Sequence, residues 1–263
     1  MAVYNLNSVL YLPFMNGTLK LRLASILFRY AYFIYKPLYF RYKYRKDKNH
    51  LELIRKFVKP GATVIDIGAN IGFYSTFLSE IAGSNGHVYC FEPDKTNFRH
   101  LEKILDGKSN VTLVQKAVAA ETGTLKLYPS SLLNVDHRTY ASENSKGSYE
   151  VEKISIDDYV DGKFKVDFIK MDIQGFETEA LKGMNITLTE NPDILLFMEF
   201  WPYGLQLAGN SAALLYDKVV EKGFHVYRIS EKDILPFTRE EALTMKAEYY
   251  TDCNVLLTRK DIF

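Results

Sequence analysis

The sequence predicts an α/β protein with a doubly wound, mostly parallel sheet and a helical N-terminal appendage. Three observations lead there. From residue 50 onward, short apolar runs alternate with segments of helical period. Turn residues such as Lys59-Pro60-Gly61 and Gly223 separate the two kinds of segment. Residues 1–50 have a different composition from everything after them: nine Lys and Arg stand against the single acid Asp47, a charge of +8 in a chain whose total is +1. The remainder is therefore about −7. At 263 residues the chain fits one α/β domain with an appendage, and its 47% hydrophobic residues are ample for a core.

The expected division is a basic, aromatic-rich helical extension over 1–50 and a main domain over 51–263. In the extension, LFRYAYFIYKPLYFRYKYRKDK interleaves Tyr and Phe with Arg and Lys, and Pro37 is expected to break it into two pieces. Such a helix packs its aromatic face on the main domain, or lies on an anionic membrane surface as a peripheral contact. LASILFRYAYFIY is interrupted by Arg29 and too short to cross a bilayer. The start MAVYNLNSVLYLP has no basic segment followed by a clean apolar stretch, so no signal peptide is expected. The two cysteines, Cys90 and Cys253, form no disulfide framework, and a cytoplasmic setting follows. The net charge suggests no polyanionic partner, and no nucleic acid is expected.

In the main domain, HLELIRKFV reads as a helix, ATVIDI as a buried strand and FYSTFLSEIA as a helix. GHVYCFE is the next strand, DKTNFRHLEKIL the next helix and VTLVQKAV a third strand. The alternation lapses between 119 and 156, where TLKLY and SYEVEKISI read as strands with one solvated face. The polar connection SSLLNVDHRTYASENSKG between them is long enough to be a lid or substrate loop. VDFIKMDI, FETEALKGM, DILLFMEF, SAALLYDKVVEKG, FHVYRIS and NVLLTR then continue as strand, helix, strand, helix, strand, strand.

Ligands of open parallel sheets bind beyond the carboxyl ends of the strands. The stretch VIDIGANIGFYS places Asp66, Gly68, Asn70 and Gly72 there, with glycines that permit close backbone approach. No Lys follows Gly72, so a phosphate-cradling nucleotide triphosphate loop is excluded. A dinucleotide loop needs G-x-G-x-x-G, and Asn70 stands where its second glycine would be. S-adenosylmethionine fits better: its carboxylate can face loop N–H groups and its ammonium an acid such as Asp66. The strand CFEPD ends in Glu92, 20 residues after Gly72, where an acid can take both hydroxyls of a ribose.

VIDIGANIGFYS, CFEPD, VQKAVAAETGTLKLY, ISIDDYV, VDFIKMDIQGFETEALKGM and LLFMEFWP, in that order, resemble FkbM-type methyltransferases over roughly residues 50–260. The resemblance implies a seven-stranded, Rossmann-like class I fold and S-adenosylmethionine-dependent O-methylation of a sugar, glycolipid or related hydroxyl. It implies that Asp66, Gly68 and Asn70 line the methionine end of the cofactor, that Glu92 holds the ribose, and that Ala117 and Val118 lie against adenine. The family pattern D-x-E-G-x-E is here altered, with Gln174 in place of its first Glu.

An alcohol is a poor nucleophile, so a base or a metal should activate it. Asp172 and Glu199 end two buried strands; on adjacent strands they would face one crevice as base and orienter, or bind a divalent cation. Glu177 could join them or complement a helix dipole. Lys170 shares a face with Asp172 and is expected to pair with a carboxylate. His137 in the polar loop is a further base, and Trp201 and Tyr203 could stack on a sugar or simply pack. The competing readings are a nicotinamide oxidoreductase and a non-catalytic scaffold.

Overall fold

The computed structural model describes residues 17–130, 137–140, 147–230, 233–249 and 251–262. The chain opens with three helices, α1 (Gly17–Tyr30), α2 (Tyr32–Lys46) and α3 (Lys48–Phe57). It then alternates: β1 (Thr63–Ile67), α4 (Phe73–Ala82), β2 (His87–Phe91), α5 (Lys95–Leu105) and β3 (Val111–Val114). Next come β4 (Ala117–Val118), β5 (Gly123–Leu127), β6 (Tyr149–Ile154) and α6 (Ile156–Val160). The second half supplies β7 (Phe168–Met171), α7 (Glu177–Lys182), α8 (Asn185–Glu190), β8 (Leu195–Phe200), α9 (Pro202–Leu207) and α10 (Ala212–Glu221). It closes with β9 (His225–Ile229), β10 (Ile234–Pro236), α11 (Arg239–Thr244) and β11 (Cys253–Thr258).

The main sheet runs β10-β9-β11-β8-β7-β1-β2-β3. From β3 to β8 all neighbours are parallel, while β11 is antiparallel to both β8 and β9. The doubly wound expectation therefore holds, with one strand more than the seven foreseen. The addition is β10, three residues paired antiparallel on the outer edge of β9. It ends in Pro236, a residue that sheets tolerate at an edge. The expected strand VTLVQKAV is cut at Gln115-Lys116. Its first half stays in the main sheet and its second half becomes β4, which joins β6 and β5 in a separate three-stranded sheet. Ser155 ends β6 by accepting the N–H of Asp158, so the strand expected to reach Ile156 turns into α6 instead.

α1 and α2 meet at Ala31, whose ψ of 51° departs from helical geometry. Pro37 does not break the segment as expected, and α2 runs through it. The cost is one N–H donor near the start of the helix. In return the inner face of α2 keeps its aromatic packing: Tyr32 stacks on His100 of α5, and Phe40 meets Phe73 of α4 edge-on. α3 runs across residue 50, where the extension was expected to end.

Strand period two sends Ile65 and Ile67 to one apolar layer, with Phe91, Met171 and Met198. Val64 goes to the other, with Val88, Cys90, Phe168 and the inner faces of α3, α4 and α5. Cys90 is thus the core residue the sequence suggested, its thiol pushed up by burial. Asp66 falls on the same face as Val64, wholly buried. Its register partner across β1 and β7 is Lys170, and the two side chains pair at 3.3 Å. Ser75 of α4 donates to the same carboxylate at 2.6 Å, and the Lys170 ammonium also donates to the Gly68 carbonyl at 3.1 Å.

Breaking this pair from either side leaves a buried, uncompensated charge, which costs roughly 3–5 kcal/mol. Asp66→Asn and Lys170→Met are each expected to lose about that much in denaturant unfolding. The double variant should lose clearly less than their sum. Additive losses would show that the two groups do not act as a pair.

Candidate active site

The strand order reverses at β1, which has β2 on one side and β7 on the other. A solvent-open cleft of about 580 Å³ lies over the carboxyl ends of these three strands. The sequence-expected residues Gly68, Asn70, Glu92, Ala117, Val118, His137 and Asp172 all line it. Asp66, Gly72 and Glu199 do not.

The loop after β1 explains its own glycines. Gly68 and Gly72 have φ of +78° and +86°, and Asn70 a φ of 52°. A Cβ on Gly68 would stand 2.0 Å from the Asp172 carbonyl oxygen, and one on Gly72 2.8 Å from Leu101 Cδ1. The close approach expected of a ligand is therefore made by the protein itself: the end of β7 against Gly68 and α5 against Gly72. The N–H groups of Gly68 and Ala69 donate to the Phe91 carbonyl at 3.0 and 2.9 Å, which ties the loop to β2. Asp66 does not face the cleft as expected, because its strand face points into the layer shared with α4, where Lys170 and Ser75 hold it.

Glu92 follows β2 and is 5% exposed. One carboxylate oxygen accepts the Asn70 N–H at 2.8 Å and the other the Asp94 N–H at 2.9 Å. Burial pushes its pKa up to about 8, against the pull of those two backbone donors. Asp94 caps α5 by accepting the N–H groups of Thr96 and Asn97, and takes the Tyr149 hydroxyl at 2.5 Å. His137 accepts the Ser130 N–H at Nδ1 and turns Nε2 toward Asp94 at 3.7 Å. With Nδ1 as acceptor, the neutral ring carries its proton on Nε2, a tautomer inferred from that contact. Most of the long polar connection, 131–136 and 141–146, lies outside the described residues.

The second group of acids sits across the cleft. β7 and β8 are adjacent, which brings the Asp172 and Glu199 ends together as the sequence anticipated. Between them stands Gln174, whose side-chain nitrogen donates to Asp172 at 2.8 Å and to Glu199 at 3.1 Å. Burial and the nearby charges of Asp172, Glu177 and Asp252 push the Glu199 carboxyl well above the ordinary range. Glu177 accepts the Ile173 N–H at 3.1 Å, and burial raises its pKa to about 7. Between Asp172 and Glu199, where a divalent cation was one alternative to a base and its orienter, stands the Gln174 amide. Among the described residues no group of three or more His, Cys, Asp or Glu is arranged to hold a metal.

An aromatic group stands behind Gln174. Trp201 is 4% exposed and donates its N–H to the Tyr249 carbonyl, so it packs rather than presenting a face. Arg138, itself buried, lies over the rings of Trp201, Tyr140 and Tyr249 at 5.2–5.7 Å. The Tyr140 hydroxyl reaches the Gln174 carbonyl at 2.7 Å. Thr139 lines the cleft with a buried hydroxyl that has no protein partner. Arg138, Thr139 and Tyr140 were given no role because they lie within the Ser- and Asn-rich connection, which has no periodicity to place them.

The Methyltransferase FkbM domain pattern matches residues 66–233. A hexuronic acid methyltransferase, AglP of Haloferax volcanii, is 26% identical over 148 residues, covering 55% of this chain and 59% of AglP. The 2-O-methyltransferase NoeI of Sinorhizobium fredii is 23% identical over 160 residues, covering 54% of this chain and 65% of NoeI. Each match spans less than two thirds of the relative's length. Among solved structures, a SAM-dependent methyltransferase from Aquifex aeolicus aligns with a TM-score of 0.45 and 17% identity, over 78% of this chain and 87% of that one. Aeropyrum pernix fibrillarin, with bound S-adenosylmethionine, aligns with a TM-score of 0.45 and 11% identity, over 80% and 74%.

The raised pKa of Glu92 carries a stability signature. Between its ordinary value of 4.5 and about 8 the folded protein holds a proton that the unfolded chain has released. Stability from this group therefore falls as pH rises through that window and levels off above it. Glu177 adds the same trend up to about 7. Glu92→Gln is expected to flatten the decline in Tm across this window in thermal melts, and an unchanged pH slope would contradict the assignment.

Proposed function

This chain belongs to the FkbM methyltransferase family, and on that premise we propose that it methylates a hydroxyl of a saccharide or saccharide-bearing acceptor, using S-adenosylmethionine. One observation carries the reading: a single cleft at the sheet's switch point joins Glu92 at the end of β2 to Asp172 at the end of β7. The donor set suits the cofactor. Each Glu92 oxygen accepts one backbone N–H and retains a lone pair for a ribose hydroxyl. Ala117 and Val118 give the cleft a buried apolar surface for adenine, and the unpartnered Thr139 hydroxyl offers a polar contact. Bound there, the cofactor supplies a methyl group on a positively charged sulfur.

The protein's part is to orient the acceptor and take its proton. Asp172 gives one oxygen to Gln174 and keeps the other for the acceptor hydroxyl, whose proton it receives as the oxygen is methylated. Glu199, its pKa raised by burial and by the acids around it, accepts from the amide of Gln174 and thereby helps fix the plane of Asp172. His137 spends no lone pair on the cleft; its contacts to Ser130 and Asp94 make it a positioning group for the Asp94 cap. The names of AglP and NoeI support a sugar hydroxyl as acceptor.

Calorimetry with S-adenosylmethionine and S-adenosylhomocysteine, beside NAD, tests the premise. Both sulfur compounds should bind, NAD should not, and Glu92→Ala should weaken binding roughly 10- to 100-fold through lost hydrogen bonds to the ribose. Absence of binding by either compound overturns the reading. Asp172→Asn should keep cofactor affinity while slowing transfer to a saccharide acceptor by about 10²–10⁴. Unchanged turnover in that variant would remove Asp172 from the proton transfer.

A further inference from the structure

The outer face of the N-terminal helices is as distinctive as the inner one. Tyr35 is buried, and Phe28 and Tyr32 pack their rings on His100 of α5, so the inner face is fixed to the main domain. Turned away from it are Ile26, Tyr30, Phe33 and Ile34, exposed by 53, 76, 78 and 41%. They flank the α1–α2 joint, Ile26 and Tyr30 from α1 and Phe33 and Ile34 from α2. No described residue covers them. Arg29, Arg41 and Arg45 are exposed along the same two helices.

Residues 1–46 contain eight Lys and Arg and no acid at all. The first acid, Asp47, is buried and engaged by Lys43 and the Tyr74 hydroxyl, so it offers no negative charge to the surface. Ahead of α1, residues 1–16 carry no charged side chain and include Val3, Leu6, Val9, Leu10, Leu12 and Phe14. Among the described residues no helix is long and apolar enough to cross a membrane.

We propose that this face docks on an anionic lipid surface, with Ile26, Tyr30, Phe33 and Ile34 entering the headgroup layer and the flanking arginines meeting lipid phosphates. Two features select lipid over other occupants. A second copy of the chain would bring one all-basic face against another, which like charges oppose. A nucleic acid would use the arginines and aromatic rings, but it gives no burial to the aliphatic Ile26 and Ile34. An interface that is apolar within and anionic at its rim matches both halves of the patch. The inference stands whether or not the methyl acceptor is itself a lipid.

The test is flotation of the full chain with phosphatidylcholine vesicles prepared with and without phosphatidylglycerol. The protein should bind the anionic vesicles at low salt at least about tenfold better than the neutral ones, and lose most of that binding in about 0.5 M salt. The paired variants Tyr30→Ser/Phe33→Ser and Arg41→Glu/Arg45→Glu should each bind roughly tenfold less. Because all four side chains are exposed, melting temperature and S-adenosylhomocysteine affinity should match wild type, which separates lost docking from lost folding. Equal binding to both vesicle types, no binding, or full binding by the variants overturns the proposal. So does a wild-type dimer in sedimentation that Tyr30→Ser/Phe33→Ser turns into monomer, since a second copy would then own the face.

Discussion

The carboxyl end of the sheet depends on one buried ion pair. Asp66 and Lys170 face each other across the central β1–β7 seam in an apolar layer, where either charge alone would be costly. Their attraction does more than cancel that cost. The Lys170 ammonium also holds the Gly68 carbonyl, so the first residue after β1 is fixed to β7 rather than left to the loop. Ser75 brings α4 to the same carboxylate. One pair thus sets the mutual position of two strands, a turn and a helix, and the turn lines the cleft.

The cleft's two acidic ends follow from that frame. With Gly68 pinned, the loop can carry Asn70 at positive φ and aim its N–H at Glu92. Glu92 in turn orders the Asp94 turn, whose carboxylate caps α5 and meets Tyr149 and His137. Opposite, the backbone of Asp172 packs on Gly68 at a distance that no side chain would permit. Its carboxylate stands in a group of crowded acids that the Gln174 amide bridges, and burial raises the pKa of two of them, Glu177 and Glu199. Glu92 and Asp172 are each held by local donors, and the space between them is left to a ligand.

Much of this was legible in the sequence because it is written in period and position. Alternating segments gave the parallel half of the sheet, and acids closing apolar strands marked the cleft residues Glu92 and Asp172. Asp66 was misread in one respect. A strand residue's face depends on which neighbours cover it, and the pairing with Lys170 and Ser75 turns it into the core. Gly68 and Gly72 were recognised as sites of close approach, but what approaches is the chain's own backbone and Leu101, from positions far off in sequence. The split of VTLVQKAV, the edge strand β10 and the aromatic group around Arg138 were not legible. Each depends on tertiary partners that leave no periodic trace in so few residues.

Gln174 gives the crowded acids a property that their number conceals. It sits at φ 57° with its amide between Asp172 and Glu199. An NH₂ group there supplies two hydrogens where a carboxyl group would add a third crowded acid. The acids are therefore bridged by a covalently attached, uncharged clamp that cannot diffuse away, be chelated or be exchanged for another ion. Gln174→Glu would replace that clamp with a demand, and only a captured proton or a cation could then hold the three carboxylates together. The same backbone is one atom away from a cation trap, and the choice between the two rests on a single amide.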